Sequence, residues 1–87
     1  MTNHKFKKVT SLEELKNICD GVSVDFFIQL NFGLRSSKNI SYNRETDQFF
    51  VLNEIDDFEQ ILNSQQIQDE DYTNIGKAIK LGALYQY

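Results

Sequence analysis

Residues 22–31 read VSVDFFIQLN, and the alternation within this stretch decides the predicted fold. From Val24 to Leu30 every second residue is apolar, whereas Asp25 and Gln29 among the residues between are polar. A period of two indicates a strand that buries one face. Phe27 lies on the otherwise polar side, so that side also carries an aromatic ring.

Further strand-like stretches follow after short polar breaks. Residues 35–42 alternate more weakly, and residues 48–55 read QFFVLNEI. Residues 43–47 between them are rich in turn formers, and residues 58–62 are expected to pair back as a fourth strand. Short connections favour an antiparallel meander.

Helices are predicted on both sides of these strands. Ser11 is expected to accept the backbone N–H of Glu14, and Glu14 to reach back, which forms a capping box before apolar residues at helical spacing in 12–19. Later, Asn63 or Ser64 caps a short helix through residue 70. Thr73 or Asn74 caps another through residue 81, which Gly82 ends.

The predicted fold is α+β, with an antiparallel sheet of three to four strands. An N-terminal helix and one or two C-terminal helices pack on one face of the sheet. A chain of 87 residues forms one domain, 1–87, with residues 1–5 frayed. Residues 6–9 read as a short strand, and the apolar residues 83–87 are expected to dock on the body.

The charge of the chain is uneven. The net charge is −4, but residues 1–44 carry seven cations and four acids, or +3. Residues 45–87 carry two cations and nine acids, or −7. Such asymmetry is typical of two different binding faces, although a fold can also interleave the two halves.

Catalytic groups are scarce in the sequence, and we predict that the protein is not an enzyme. A nucleophile needs a base beside it. The single His4 lies in the frayed tail, and the single Cys19 falls on the apolar side of the first helix. No glycine-rich phosphate loop and no Cys/His metal set is present in the sequence, so neither a metal nor a cofactor is expected.

An acidic cluster follows the third strand and is a candidate binding site formed by Glu54, Asp56, Asp57 and Glu59. Solvated turns, a charge-complementary contact surface, and a cation or general acid–base site are the three interpretations. The glycine that an EF-hand loop needs is missing. A small hydrolase that uses these carboxylates is the weakest hypothesis for the whole protein.

A basic segment is the second candidate binding site, and its residues are Arg35, Ser36, Ser37 and Lys38. Backbone amides beside Gly33 with two nearby cations suit a phosphate or a carboxylate. The alternative is an exposed hairpin or edge strand whose cations prevent edge-to-edge pairing.

Phe27 and Phe50 lie opposite the main apolar faces of their strands. The favoured interpretation is that the closing helices cover this side and make it core. Aromatic rings on an uncovered sheet would instead stack nucleobases.

Two stretches, residues 31–38 (NFGLRSSK) and 72–79 (YTNIGKAI), resemble a family of small uncharacterised proteins from phages and integrated mobile elements of Gram-positive bacteria. The resemblance covers under a fifth of the chain. It implies a cytoplasmic accessory protein that works by binding, and it implies no activity, cofactor or catalytic residue.

The leading hypothesis is a non-enzymatic protein-binding module that docks on an unidentified protein by charge complementarity. The alternative is a nucleic-acid-binding protein that uses the basic N-terminal half and the segment from Arg35 to Lys38. The single cysteine and the lack of a long apolar run predict a cytoplasmic protein with no membrane partner. A monomer and a weak homodimer both fit the sequence.

Overall fold

The stretch with the clearest alternation forms a strand near the centre of the sheet. The computed structural model describes residues 6–30, 33, 35–53, 59–69 and 72–87, with only the backbone of residue 53. Their elements are β1 (Lys7–Lys8), α1 (Leu12–Ile18), β2 (Val24–Ile28), β3 (Ser36–Asn43), β4 (Gln48–Asn53), β5 (Glu59–Asn63), α2 (Ser64–Gln68), α3 (Asn74–Leu81) and β6 (Leu84–Gln86).

The sheet is larger than predicted. Its strands follow the order β1-β6-β2-β3-β4-β5, and every neighbouring pair is antiparallel. The prediction of three to four strands is therefore wrong, because the described residues form six. The four strands from β2 to β5 are the expected meander. The C-terminal residues dock as β6, a strand between β1 and β2.

The helices lie on one side of the sheet. Leu15 of α1, Ile67 of α2 and Ala78 of α3 share a buried cluster with Phe26 and Ile40 of the sheet. Alternation along each strand places one set of side chains in this core and the other set on the opposite side. We call the two sides the helix face and the open face.

Side-chain caps explain where two of the helices begin. The Thr73 hydroxyl accepts the Gly76 N–H at 2.8 Å, and Gly82 ends α3 in the left-handed conformation with φ 71°. The Ser11 hydroxyl accepts the Glu14 N–H at 3.1 Å, as predicted. The Glu14 carboxylate, however, accepts the N–H of Thr10 at 2.8 Å and not that of Ser11.

Candidate functional site

The open face carries side chains from all six strands. The register of the strands identifies the residues of this face, because directly paired residues point to the same side of a sheet. The open face consists of Phe6, Lys8, Asp25, Phe27, Arg35, Ser37, Asn39, Ser41, Asn43, Gln48, Phe50, Leu52, Glu59, Ile61, Asn63, Tyr85 and Tyr87.

Aromatic rings cover one end of the open face. The Phe27 ring stacks on Tyr85, with centroids 5.2 Å apart, and meets Tyr87 at 4.7 Å. Phe6 contacts Phe27 edge-on at 5.1 Å and Tyr87 at 5.9 Å. We call these four residues the aromatic cluster, and it joins the two ends of the chain over β2.

Two cations lie against the aromatic cluster. The Arg35 guanidinium carbon is 4.6 Å from the centroid of Phe27 and 4.8 Å from that of Phe6. The ammonium of Lys8 is 5.8 Å from the Tyr85 centroid. All three distances suit a cation–π interaction, so the positive charges at this end of the face lie against aromatic rings.

Phe27 is buried in a way that the sequence interpretation did not foresee. Only 1% of the residue is exposed, yet the helices pack on the other side of β2, against Phe26. The expectation that the closing helices cover Phe27 is wrong. Its burial comes from the other three rings of the aromatic cluster, which lie in or next to β1 and β6, and from the guanidinium of Arg35.

A groove with polar groups on its floor crosses the middle of the open face, over β2 and β3. Its volume is about 480 Å³, and Tyr87 and Leu52 lie on its two sides. Asn39 Nδ2 donates to Asp25 Oδ1 at 2.9 Å on its floor. The Ser37 hydroxyl lies 3.4 Å from the Tyr87 hydroxyl. The groove therefore offers a carboxylate and two hydroxyls beside an aromatic ring.

The other end of the open face is aliphatic. Phe50 and Leu52 of β4 lie beside Ile61 and Glu59 of β5. Leu52 is 38% exposed and Ile61 is 55% exposed. Apolar groups exposed side by side are typical of a contact surface.

The predicted basic segment is divided between the two faces. Arg35 and Ser37 lie on the open face, whereas the alternation of β3 turns Ser36 and Lys38 to the helix face. Lys38 is 7% exposed, and Ser36 borders a cavity of about 390 Å³ beside α3. The four residues therefore do not form one site. Of the predicted acidic cluster, Glu59 lies exposed on the open face, and Glu54, Asp56 and Asp57 are outside the described residues.

The thiol of Cys19 is a core group. It is fully buried, and its Sγ donates to the Leu15 carbonyl at 3.0 Å. Burial raises the pKa of Cys19 to about 12, so the thiolate needed for nucleophilic attack is scarce at neutral pH. Within the described part of the chain, no group of three potential metal ligands comes together; His4 is outside it.

A second polar cluster joins α1, the β3–β4 turn and α2. The Asp47 carboxylate accepts the hydroxyls of Ser64 and Tyr42, each at 2.6 Å, and lies 3.4 Å from Lys16 Nζ. The hydrogen bonds from Ser64 and Tyr42, with the Lys16 charge, lower the pKa of Asp47. The bond to Asp47 raises the pKa of Tyr42 to about 12. Every polar group of the Asp47 cluster has a partner, which indicates a structural role.

Sequence reasoning missed Phe6, Tyr85 and Tyr87 as site residues. The signal was the period of two in Tyr85-Gln86-Tyr87, which places both tyrosines on one side of a strand. Three residues are too few for such a pattern to stand out.

Comparisons with protein-family models, curated proteins and solved structures find no match to this chain. The described helices include none with the length and apolar character to cross a membrane. Function is therefore argued from the geometry of the site.

Proposed function

We propose that this chain is a non-enzymatic accessory protein that binds another protein through the open face of its sheet. The observation that carries the proposal is the exposure of Leu52, Ile61 and Tyr87 on the face opposite the helices, where 49% of Tyr87 meets solvent. Tyrosine is enriched among the residues that contribute most to the affinity of protein interfaces, and adjoining exposed apolar groups mark interaction sites.

The chemistry of the open face favours a partner with apolar side chains and a basic rim. Asp25 in the groove and Glu59 at the aliphatic end are carboxylates, and the net charge of the chain is −4. The two cations of the face are stacked on rings. Opposite charge on the partner would steer the encounter, so association should slow as salt rises.

Nucleic-acid binding is the second candidate function. The observation in its favour is the combination of Arg35 and Lys8 with partly exposed rings at one end of the open face. Lys38 does not strengthen it, because that side chain is buried on the helix face. A face with two cations and two carboxylates also attracts a phosphate backbone only weakly, because the carboxylates repel it.

A cytoplasmic location and an origin in a phage or mobile element complete the proposal. The origin rests on the sequence resemblance alone, and the location rests on the resemblance and on the single cysteine, which is buried here.

The test is quantitative affinity capture from a Gram-positive bacterial lysate, with three forms of the protein as bait. Leu52→Ser changes the centre of the aliphatic end. Tyr72→Ser is the matched control, because Tyr72 is 76% exposed and borders a cavity on the helix face. We expect a partner that the wild type and Tyr72→Ser retain and that Leu52→Ser loses.

The captured protein is then purified, and its affinity is measured over a salt series with the same variants. Equal affinity for Leu52→Ser and the wild type would contradict docking on the open face. Fluorescence anisotropy with single-stranded oligonucleotides tests the alternative. Binding at low salt that Arg35→Ala abolishes would favour the nucleic-acid function instead.

A further inference from the structure

The groove on the open face is lined mainly by polar groups that accept hydrogen bonds. Asp25 contributes a carboxylate, Asn39 an amide oxygen, and Ser37 and Tyr87 hydroxyls. A carboxylate only accepts, and its two oxygens offer about four lone pairs. One of these takes the bond from Asn39 Nδ2 at 2.9 Å, so acceptors remain for a ligand that donates several hydrogen bonds.

The carboxylate of Asp25 is held in place, but its charge is not compensated. The bond from Asn39 restrains it before any ligand binds, which reduces the entropy that binding must remove. The ion pairs among the described residues use the carboxylates of Glu14, Asp20 and Asp47, and none of them includes Asp25. Asp25 is therefore able to pair with a cation from another molecule.

The walls of the groove are apolar, and their separation follows from the strand register. Asp25 pairs with Asn39, and Asn39 with Leu52. On the other side the Tyr87 N–H bonds to the Asp25 carbonyl, so the four side chains form one row across the sheet. With strands about 4.8 Å apart, the backbones of Tyr87 and Leu52 are about 14 Å apart. An aromatic wall, a charged floor and an aliphatic wall thus enclose a space of about 480 Å³.

The cations of the chain that lie near the groove are engaged elsewhere. Lys38 borders it, but the side chain turns to the helix face and the residue is 7% exposed. The Arg35 guanidinium lies against Phe27 and Phe6. The charge on the floor of the groove is therefore that of Asp25.

We propose, on the basis of the proposed docking function, that this groove binds an arginine side chain of the partner protein. A guanidinium is planar, so it stacks on the Tyr87 ring while the N–H groups along its edge donate to Asp25 and Asn39. Its five donors match a floor of acceptors, and its aliphatic stem packs against Leu52. A lysine ammonium is a compact point charge that cannot stack and donate as a fork in this way.

The test is an NMR titration of the purified chain with N-acetyl-arginine amide at low salt. A single charged side chain in an open groove binds in about the millimolar range. We expect shifts confined to the side-chain amide of Asn39 and to the backbone amides of residues 25, 37 and 87. N-acetyl-citrulline amide has nearly the same shape without the charge, and N-acetyl-lysine amide has the charge without the fork. Each should bind about tenfold more weakly or less.

Asp25→Asn is the decisive variant, because it removes the charge and keeps an acceptor for Asn39. It should weaken binding of the arginine amide by about tenfold or more. Glu45→Gln is the matched control, since it removes one charge from an exposed residue in the β3–β4 turn. It should bind as the wild type does.

Three results would overturn the arginine site. One is the lack of localised shifts at arginine amide concentrations about tenfold above the millimolar range. The second is equal binding of the lysine or citrulline amide. The third is equal weakening by Glu45→Gln, which would mean that the net charge of the chain attracts the probe.

The titration involves no partner protein, so its outcome is separate from that of affinity capture. If the arginine amide does not bind while Leu52→Ser still loses a captured partner, the arginine site is wrong and docking on the open face stands. If the arginine amide binds in the groove but no partner is captured, docking on the open face is contradicted and the arginine site remains.

Discussion

At the scale of single residues, the carboxylate of Asp47 contacts three polar side chains, those of Tyr42, Ser64 and Lys16. Its backbone is in the left-handed region, with φ 58°. Asn adopts this region more readily than most other residues that have a side chain. Asp47→Asn therefore removes the charge without adding backbone strain. We expect this variant to be less stable than the wild type at pH 7, because Lys16 and two hydroxyls lose their charged partner.

The pH dependence of this loss follows from the direction of the pKa shift. The folded-state pKa of Asp47 lies below its ordinary value of 3.8, so the folded state favours the charged form. Its contribution is present above pH 3.8 and disappears as the pH falls through the folded pKa. The melting temperatures of wild type and Asp47→Asn should therefore converge in acid. A constant gap between pH 7 and pH 2 would contradict this account.

At the scale of elements, the contact between α2 and α3 depends on Gly76. A Cβ at this position would overlap the carbonyl oxygen of Ile67 in α2. Helix propensity alone favours alanine over glycine by about 1 kcal/mol, but overpacking against backbone costs roughly 1–3 kcal/mol or more. We expect Gly76→Ala to reduce the free energy of unfolding by about 2 kcal/mol in urea titrations.

Lys77→Ala is the control for Gly76→Ala. Lys77 is exposed on the same helix, so its replacement should change stability by less than about 0.5 kcal/mol. Stabilisation by Gly76→Ala would show that the two helices separate without cost.

Elements whose signals are local could be predicted from the sequence. Thr73 and Gly82 mark the ends of α3 through their own side-chain and backbone chemistry. The alternation of residues 24–28 is likewise visible in the sequence without knowledge of the strands that pair with them. The strand β6 could not be predicted in this way. Its partners are β1, at the other end of the chain, and β2, so its existence depends on contacts between distant residues. The aromatic cluster was missed for the same reason, because Phe6 and Tyr87 meet only after that pairing.

At the scale of the whole molecule, the charge difference between the two halves of the sequence does not translate into two separate faces. The strand β6 from the acidic half lies between β1 and β2 from the basic half. Glu59 from the acidic half also shares the open face with Arg35 and Lys8 from the basic half. The charge distribution must therefore be read from positions in the sheet and not from positions in the sequence. On the open face, the positive charges lie beside the aromatic cluster and a negative charge lies at β5.

Insertion of β6 also makes the C-terminal end of this chain an interior part of the sheet. Backbone hydrogen bonds hold this segment on both of its sides. The Val9 N–H, next to β1, donates to the Leu84 carbonyl at 2.8 Å, and the Tyr87 N–H donates to the Asp25 carbonyl of β2 at 3.2 Å. Terminal residues usually fray. Opening β6 alone, however, would expose Leu84 and Phe27, which are 0% and 1% accessible.

The bond from the Tyr87 N–H to Asp25 and the alternation of bonded pairs turn the Tyr85 N–H towards Phe27 of β2. We therefore expect the Tyr85 amide to be among the slowest to exchange hydrogen, at a rate close to those of the central strand β3. Exposing one Phe and one Leu costs roughly 1.5–3 kcal/mol each. Local opening would then be suppressed by about 4 kcal/mol, or about a thousandfold in rate. Hydrogen exchange followed by NMR in dilute protein measures this directly, with the amide of Ile61 as the fast-exchanging control. The bond from the Ser64 N–H to the Asp47 carbonyl and the alternation of bonded pairs turn the Ile61 N–H away from β4. Exchange of Tyr85 as fast as that of Ile61 would mean that β6 opens by itself. The aromatic cluster would then be a transient surface, with Phe27 available to a partner only in the open state.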